Sequence, residues 1–215
     1  MTHPLAEALC HAGRQLHEQG LIAGLAGNLS VRLDEDRLLI TPRGTNKSRL
    51  RPQDMVTLPL ALPPEGHDQG EATQGSTEFP FHRACYLASD EVGAVVHTHA
   101  PALTAVGVRG LDITATLPEL ELAVGSVVLL DFAPSGSEQL GKATGDAVAE
   151  GAGVILLKNH GAVSVGGDLD DAVNRMELAE LAAYTVLLSQ DRVGDLDLAR
   201  LIKLRAHLDD SERYS

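Results

Sequence analysis

Apolar residues recur at helical spacing over 4–19, where Leu5, Leu9, Ala12 and Leu16 form one stripe, with Pro4 near the start and Gly20 at the expected C-cap. The pattern then changes period. Residues 28–33 alternate polar and apolar like a half-buried strand, and after the turn Asp34-Glu35-Asp36 the segment 38–41 returns as its hairpin partner. A further strand is predicted over 55–60, followed by an exposed loop over 62–75 rich in Pro, Gly and charge. Ser76 is placed to cap a helix that starts at Thr77, has Glu78 in its first turn, tolerates Pro80 near its start and runs to Ser89. Beyond it the pattern predicts a strand over 94–97, a short helix over 101–108, an irregular stretch over 117–121 and a buried strand over 126–132. An amphipathic helix over 137–150, strands over 153–157 and 162–165, and a long helix over 168–190 follow. One more helix is predicted over 196–208, ahead of a polar tail. With no internal repeat and no long linker, residues 1–215 read as a single α/β domain of interleaved strands and helices.

Composition narrows the function classes. Hydrophobic residues make up 44% of the 215 and charged residues 22%, which is globular and enough for a substantial core. The formal charge of -13 carries no basic stripe, which argues against nucleic acid and against an anionic membrane surface as partners. Aromatics are 3% with no Trp, so base-stacking platforms are not expected either. Cys10 and Cys85 form no CxxC pair and read as small core residues. No secretory leader is apparent in the first residues and no run approaches 18 apolar residues, so a soluble, cytoplasmic protein is expected.

The chemistry concentrates in Gly93-Ala94-Val95-Val96-His97-Thr98-His99-Ala100-Pro101. Side chains alternate along a strand, so His97 and His99 emerge on one face, roughly 6.5 Å apart along the backbone. They are either two ligands converging on a metal or two polar residues at a strand end. His160, in Lys158-Asn159-His160-Gly161, repeats the arrangement, with a buried strand delivering a histidine next to a glycine. Three neutral imidazoles leave a coordination position open, the pattern of a catalytic zinc (Zn2+) site, and Glu78 can supply a fourth ligand or a base. Three glycine-containing turns, 24–28, 41–44 and 75–77, offer backbone N–H groups with small polar side chains. Such turns either cradle phosphate or are ordinary turns. The stretch Gly44-Thr45-Asn46-Lys47-Ser48 is not a nucleotide P-loop, because it lacks the glycine before the lysine and leads into no long apolar helix.

In this order, Gly-Asn-Leu-Ser at 27–30, Ile-Thr-Pro-x-Gly at 40–44, Ser-Thr-Glu and His at 76–82, Val-His-Thr-His-Ala at 96–100 and Asn-His-Gly at 159–161 resemble the class II aldolase/adducin family over about residues 5–190. The resemblance implies a three-layer α/β/α sandwich around a largely antiparallel sheet, with zinc or another divalent metal held by His97, His99 and His160. It makes Glu78 the carboxylate that ligates metal in the empty site and acts as acid/base once substrate displaces it. Asn28, Gly44, Ser76 and Thr77 match phosphate-binding positions. A fuculose-phosphate-aldolase-like reaction is implied, on a small phosphorylated sugar, in a homotetramer with active sites at subunit interfaces.

Two positions depart from the aldolase pattern. Glu119 stands near where a tyrosine is expected, which resembles the methylthioribulose-phosphate dehydratase branch, with Glu119 as a second acid/base or else a solvated carboxylate. Arg43 replaces a small hydroxyl residue and either serves an additional anionic group on the substrate or points to solvent. Tyr214 resembles a mobile C-terminal tyrosine of some family aldolases. The expected activity is therefore zinc-dependent retro-aldol cleavage to dihydroxyacetone phosphate and an aldehyde, with dehydration second. Keto-acid-phosphate decarboxylation, ribulose-phosphate epimerisation and a non-catalytic adducin-like interaction role rank lower.

Overall fold

The structure is a computed structural model and describes residues 3–61 and 75–189. The loop expected over 62–75 falls almost wholly outside these residues, as do the helix over 196–208, the tail and Tyr214. The strands are β1 (Asn28–Arg32), β2 (Arg37–Ile40), β3 (Val56–Pro59), β4 (Ala94–Thr98), β5 (Ser126–Leu130), β6 (Ala152–Leu157) and β7 (Gly161–Gly166). The helices are α1 (Pro4–Glu18), α2 (Phe79–Ala88), α3 (Pro101–Arg109), α4 (Pro118–Val124), α5 (Glu138–Ala149) and α6 (Leu169–Leu188).

One seven-stranded sheet runs in the order β3-β2-β1-β4-β7-β6-β5. Its pairings are antiparallel except for β5 with β6. The central strands β4, β6 and β7 are buried at every residue, which explains why they read as continuous apolar runs rather than alternating ones. Alternation reappears in which face each residue feeds. Val96, Val154 and Leu156 join the core under α1, α3, α4 and α6, whereas Val95, Ile155 and Leu157 join the core under α2 and α5. Helices cover both faces, giving the expected α/β/α sandwich. No helix among the described residues is long and apolar enough to cross a membrane.

Three local expectations are corrected. The strand expected to be buried over 126–132 is β5, an edge strand with Ser126 and Leu129 exposed, because among the described residues it pairs only with β6. The stretch expected to be irregular over 117–121 begins α4, with Pro118 at its first position and Leu120 and Val124 buried one turn apart. The helix expected to start at Thr77 starts at Phe79, with Glu78 at the capping position but making no side-chain cap. Ser76 instead closes a preceding turn: its hydroxyl accepts from the Glu78 amide at 3.2 Å and its carbonyl from the Phe79 amide at 3.1 Å. The Glu78 carboxylate is thereby free to turn inward.

The β6–β7 hairpin closes tightly against the end of β4. Leu157 pairs with Gly161 across it, and Asn159, the third residue of the turn that His160 closes onto Leu157, adopts φ 60°, a left-handed conformation that Asn tolerates. A Cβ at Gly161 would stand 2.3 Å from the Thr98 carbonyl oxygen of the neighbouring strand end. Gly161→Ala is therefore expected to destabilise the fold by about 1–3 kcal/mol, read as a lowered Tm, whereas an unchanged Tm would mean that the strands do not approach this closely.

Candidate active site

Strand register brings the first residues together. His97 in β4 pairs with Asn28 at the start of β1 and with Val163 in β7. His99 lies just past the end of β4, and its Nε2 is 3.1 Å from the Nε2 of His97, so the same-face expectation for the pair holds. The β6–β7 turn adds His160, whose amide closes the turn onto the Leu157 carbonyl at 3.0 Å. The three ring centroids are 4.9–5.0 Å apart in edge-on contact.

Their ligating nitrogens all lie within 4.8 Å of one another. Nδ1 of His97 donates to the Ala162 carbonyl at 2.9 Å, which turns its Nε2 toward the other two rings, the orienting arrangement typical of metal-binding histidines. Burial, reinforced by the charges of His97 and His160, lowers the His99 pKa to about 4, so His99 is neutral and its lone pair available at pH 7. The trio forms a potential divalent-metal site: the donors are of the right type, oriented, and close enough to share one ion.

Glu78 meets the trio from the start of α2. Its Oε2 is 3.1 Å from His97 Nε2 and its Oε1 3.0 Å from His160 Nε2. Asn28 Nδ2 donates to Oε2 at 2.8 Å and Ser135 Oγ to Oε1 at 2.7 Å. Burial, with only 6% of the residue exposed, works to raise the carboxyl pKa. The hydrogen bonds from His160, His97 and Ser135 and the charge of His97 outweigh it and hold the group well below the usual carboxylate range.

A pocket of about 160 Å³ opens beside this cluster. Asn28, Arg43, Gly44, Ser76 and Thr77 all line it, together with Glu78, His99 and His160. The turns at 41–44 and 75–77 are held side by side by a bridge between Pro42 and Gly75. Asn28 nevertheless spends one amide N–H on Glu78, so its side chain serves the carboxylate as well as the pocket. Glu119 lies exposed on α4 and is not among the pocket residues.

Two lining residues escaped the sequence reading. Ser135 sits in a Pro-Ser-Gly turn much like those that were singled out, so its signal was present. Lys47 gave none beyond a rejected motif. It is 2% exposed, and its Nζ donates to the carbonyls of Leu25 at 3.0 Å and Thr45 at 2.8 Å. Burial lowers its pKa to about 8, opposed by the charge of Glu78.

The family model for the class II aldolase and adducin N-terminal domain matches residues 7–187. The chain belongs to the class II aldolase/adducin family. A 3-oxo-tetronate 4-phosphate decarboxylase of Haemophilus influenzae is 34% identical over 193 residues, 87% of this chain and 89% of that protein. A 5-methylthioribulose-1-phosphate/5-deoxyribulose-1-phosphate aldolase of Rhodospirillum rubrum is 37% identical over 180 residues, 83% of this chain and 78% of that protein. Among solved structures, the L-fuculose-1-phosphate aldolase of Thermus thermophilus superposes with a TM-score of 0.75 at 30% identity, over 86% of this chain and 94% of that one. Class II aldolases are metal-dependent lyases, and the histidine trio is where this class II aldolase homologue has the donors to hold a metal.

Gently purified protein is expected to carry about one equivalent of divalent metal by elemental analysis, and His160→Ala to lose most of it. Metal retained in full by that variant would remove His160 from the ligand set.

Proposed function

We propose that this chain is a zinc-dependent lyase that cleaves a small ketose 1-phosphate, fuculose-1-phosphate-like, to dihydroxyacetone phosphate and an aldehyde. The observation that carries the reading is the placement of a buried, ionised Glu78 against His97 and His160 at the mouth of a pocket that also holds Lys47 and Arg43. The named activities of the Rhodospirillum rubrum and Thermus thermophilus relatives support the substrate class.

A zinc ion held by His97, His99 and His160 would act as a Lewis acid toward the adjacent keto and hydroxyl oxygens of the substrate. The chain's own residues supply the rest. Gly44, Ser76 and Thr77 offer hydrogen-bond donors to the phosphate, and Lys47 and Arg43 offset the repulsion of a chain carrying -13. As the carbon–carbon bond breaks, the hydroxyl on the carbon that becomes the aldehyde passes its proton to the Glu78 carboxylate, its C=O forms, and the electron pair of the broken bond passes into an enediolate on the phosphate-bearing fragment. Glu78, once protonated, returns a proton to the carbon that lost its partner; in the condensation direction the carboxylate removes that proton. Asn28 and Ser135 hold the carboxylate oxygens for that transfer.

A second reading is favoured by the two cations in one pocket. Arg43 and Lys47 suit a substrate that carries a carboxylate as well as a phosphate, and decarboxylation of a 2-hydroxy-3-keto acid leaves the same kind of enediolate. The name of the Haemophilus influenzae relative supports it. Dehydration rested on Glu119 entering the site, and its exposed place on α4 lends that reading no support within one subunit. The homotetramer is carried forward as part of the proposal: Leu25, 61% exposed at the pocket, is an apolar residue that a neighbouring subunit would cover.

Incubation with a panel of ketose 1-phosphates is expected to release dihydroxyacetone phosphate, and Glu78→Gln to lower kcat by about two decades or more. Release of carbon dioxide from 3-keto-acid phosphates, with no triose phosphate from any ketose, would select the second reading. Lys47 is a cation below about pH 8 and neutral above it. KM for a phosphorylated substrate is therefore expected to rise as pH increases through about 8, and Lys47→Met to raise KM at pH 7 and flatten that rise. A pH-independent KM in the wild type would exclude Lys47 from anion binding.

A further inference from the structure

Behind the Glu78–Asn28 contact runs a line of buried polar groups that the reaction itself does not use. Glu78, His82 and Tyr86 are spaced four residues apart, so they stack along one face of the chain entering and forming α2. Asn28 and Ser30 are two apart in β1 and point to the same face of the sheet. The two series interleave. Asn28 Oδ1 meets His82 Nε2, His82 Nδ1 is 2.7 Å from Ser30 Oγ, and Ser30 Oγ is 2.8 Å from the Tyr86 hydroxyl. All four are buried: Asn28 at 5% exposed, Ser30 and His82 at 0% and Tyr86 at 1%.

The direction of every proton in this chain follows from its end. Asn28 presents its Nδ2 to Glu78 Oε2 and its Oδ1 to His82 Nε2, and an amide nitrogen only donates while its oxygen only accepts. A carbonyl only accepts, so His82 must donate from Nε2, and a neutral imidazole then accepts at Nδ1. Ser30 therefore donates to Nδ1, which leaves its oxygen lone pairs for the proton of Tyr86. Burial keeps the His82 ring neutral, its pKa lowered to about 3, in agreement with this assignment. Because the Tyr86 end is closed off from solvent, the chain has no exit for a proton and works by orientation.

We propose that His82, Ser30 and Tyr86 are positioning residues that lock the Asn28 amide so that its N–H, and never its carbonyl, faces the Glu78 carboxylate. A flipped amide would set two acceptor oxygens against each other at the distance now bridged by a 2.8 Å hydrogen bond and push Glu78 off the geometry its proton transfer needs. That catalytic consequence rests on the lyase reading; the hydrogen-bond assignment does not.

The test has one arm for each. Imidazole nitrogen NMR of the zinc-loaded full chain at pH 7 is expected to show His82 as the single tautomer protonated on Nε2, and Ser30→Ala to mix the tautomers. In steady-state kinetics with the substrate found to be cleaved, His82→Leu is expected to lower kcat by about 10-fold or more with KM and bound zinc nearly unchanged. His82→Gln, whose amide N–H can reach the Asn28 carbonyl, is expected to recover most of the loss. A wild-type His82 protonated on Nδ1 would overturn the proposal, as would wild-type kcat in His82→Leu or a His82→Gln variant no better than His82→Leu. Should no substrate be cleaved at all, the lyase reading fails, and the tautomer still decides the hydrogen-bond assignment.

Discussion

A carboxylate that is 6% exposed stays ionised only if donors meet both of its oxygens, and the architecture around Glu78 answers to that demand. An unpaired buried charge costs several kcal/mol or more. Four different parts of the fold converge on it: the start of β1 and the loop after β5 send one donor to each oxygen, from Asn28 and Ser135, while β4 and the β6–β7 turn set the His97 and His160 rings against the same two oxygens, where a shared metal would neutralise the charge. The Asn28–His97 strand register, the left-handed Asn159 and the approach of Gly161 to Thr98 place three of these. The start of α2 at Phe79 follows from the same demand, because a side chain turned toward the imidazoles is unavailable to cap the helix.

How much of this could be read from the chain alone depended on whether the chemistry was local. The alternation at His97-Thr98-His99 and the Asn159-His160-Gly161 turn are short-range signals, and both delivered their histidines as expected. The central strands were legible because burial on both faces makes continuous apolar runs. Edge exposure of β5 was not, since Ser126 and its Val and Leu neighbours read the same whether or not a further layer covers them. α4 was missed because seven residues carry only two buried positions. Lys47 and the Asn28–His82–Ser30–Tyr86 chain were illegible for another reason: their partners lie across the fold, and no local spacing reports that β1 and α2 face each other in register.

The site also reconciles two electrostatic facts that pull apart. A chain with a formal charge of -13 repels anions at long range, yet Arg43 and Lys47 both line the pocket beside Glu78. Local geometry wins at contact distance, because Lys47 is pinned by two backbone carbonyls with its charge beside the pocket, while surface carboxylates are screened over roughly 8–10 Å. The same two residues separate the proposed aldol cleavage from the proposed decarboxylation, since a phosphate alone needs fewer positive groups than a phosphate with a carboxylate.

The central claim is that His97, His99 and His160 form one metal centre facing Glu78. Crystals of zinc-loaded protein, measured on both sides of the zinc absorption edge, test it most directly. The account predicts an anomalous peak within about 2.0–2.1 Å of one nitrogen of each of the three imidazoles, with the Glu78 carboxylate on its open side. A peak held by other residues, or no peak at the trio under saturating zinc, would contradict it.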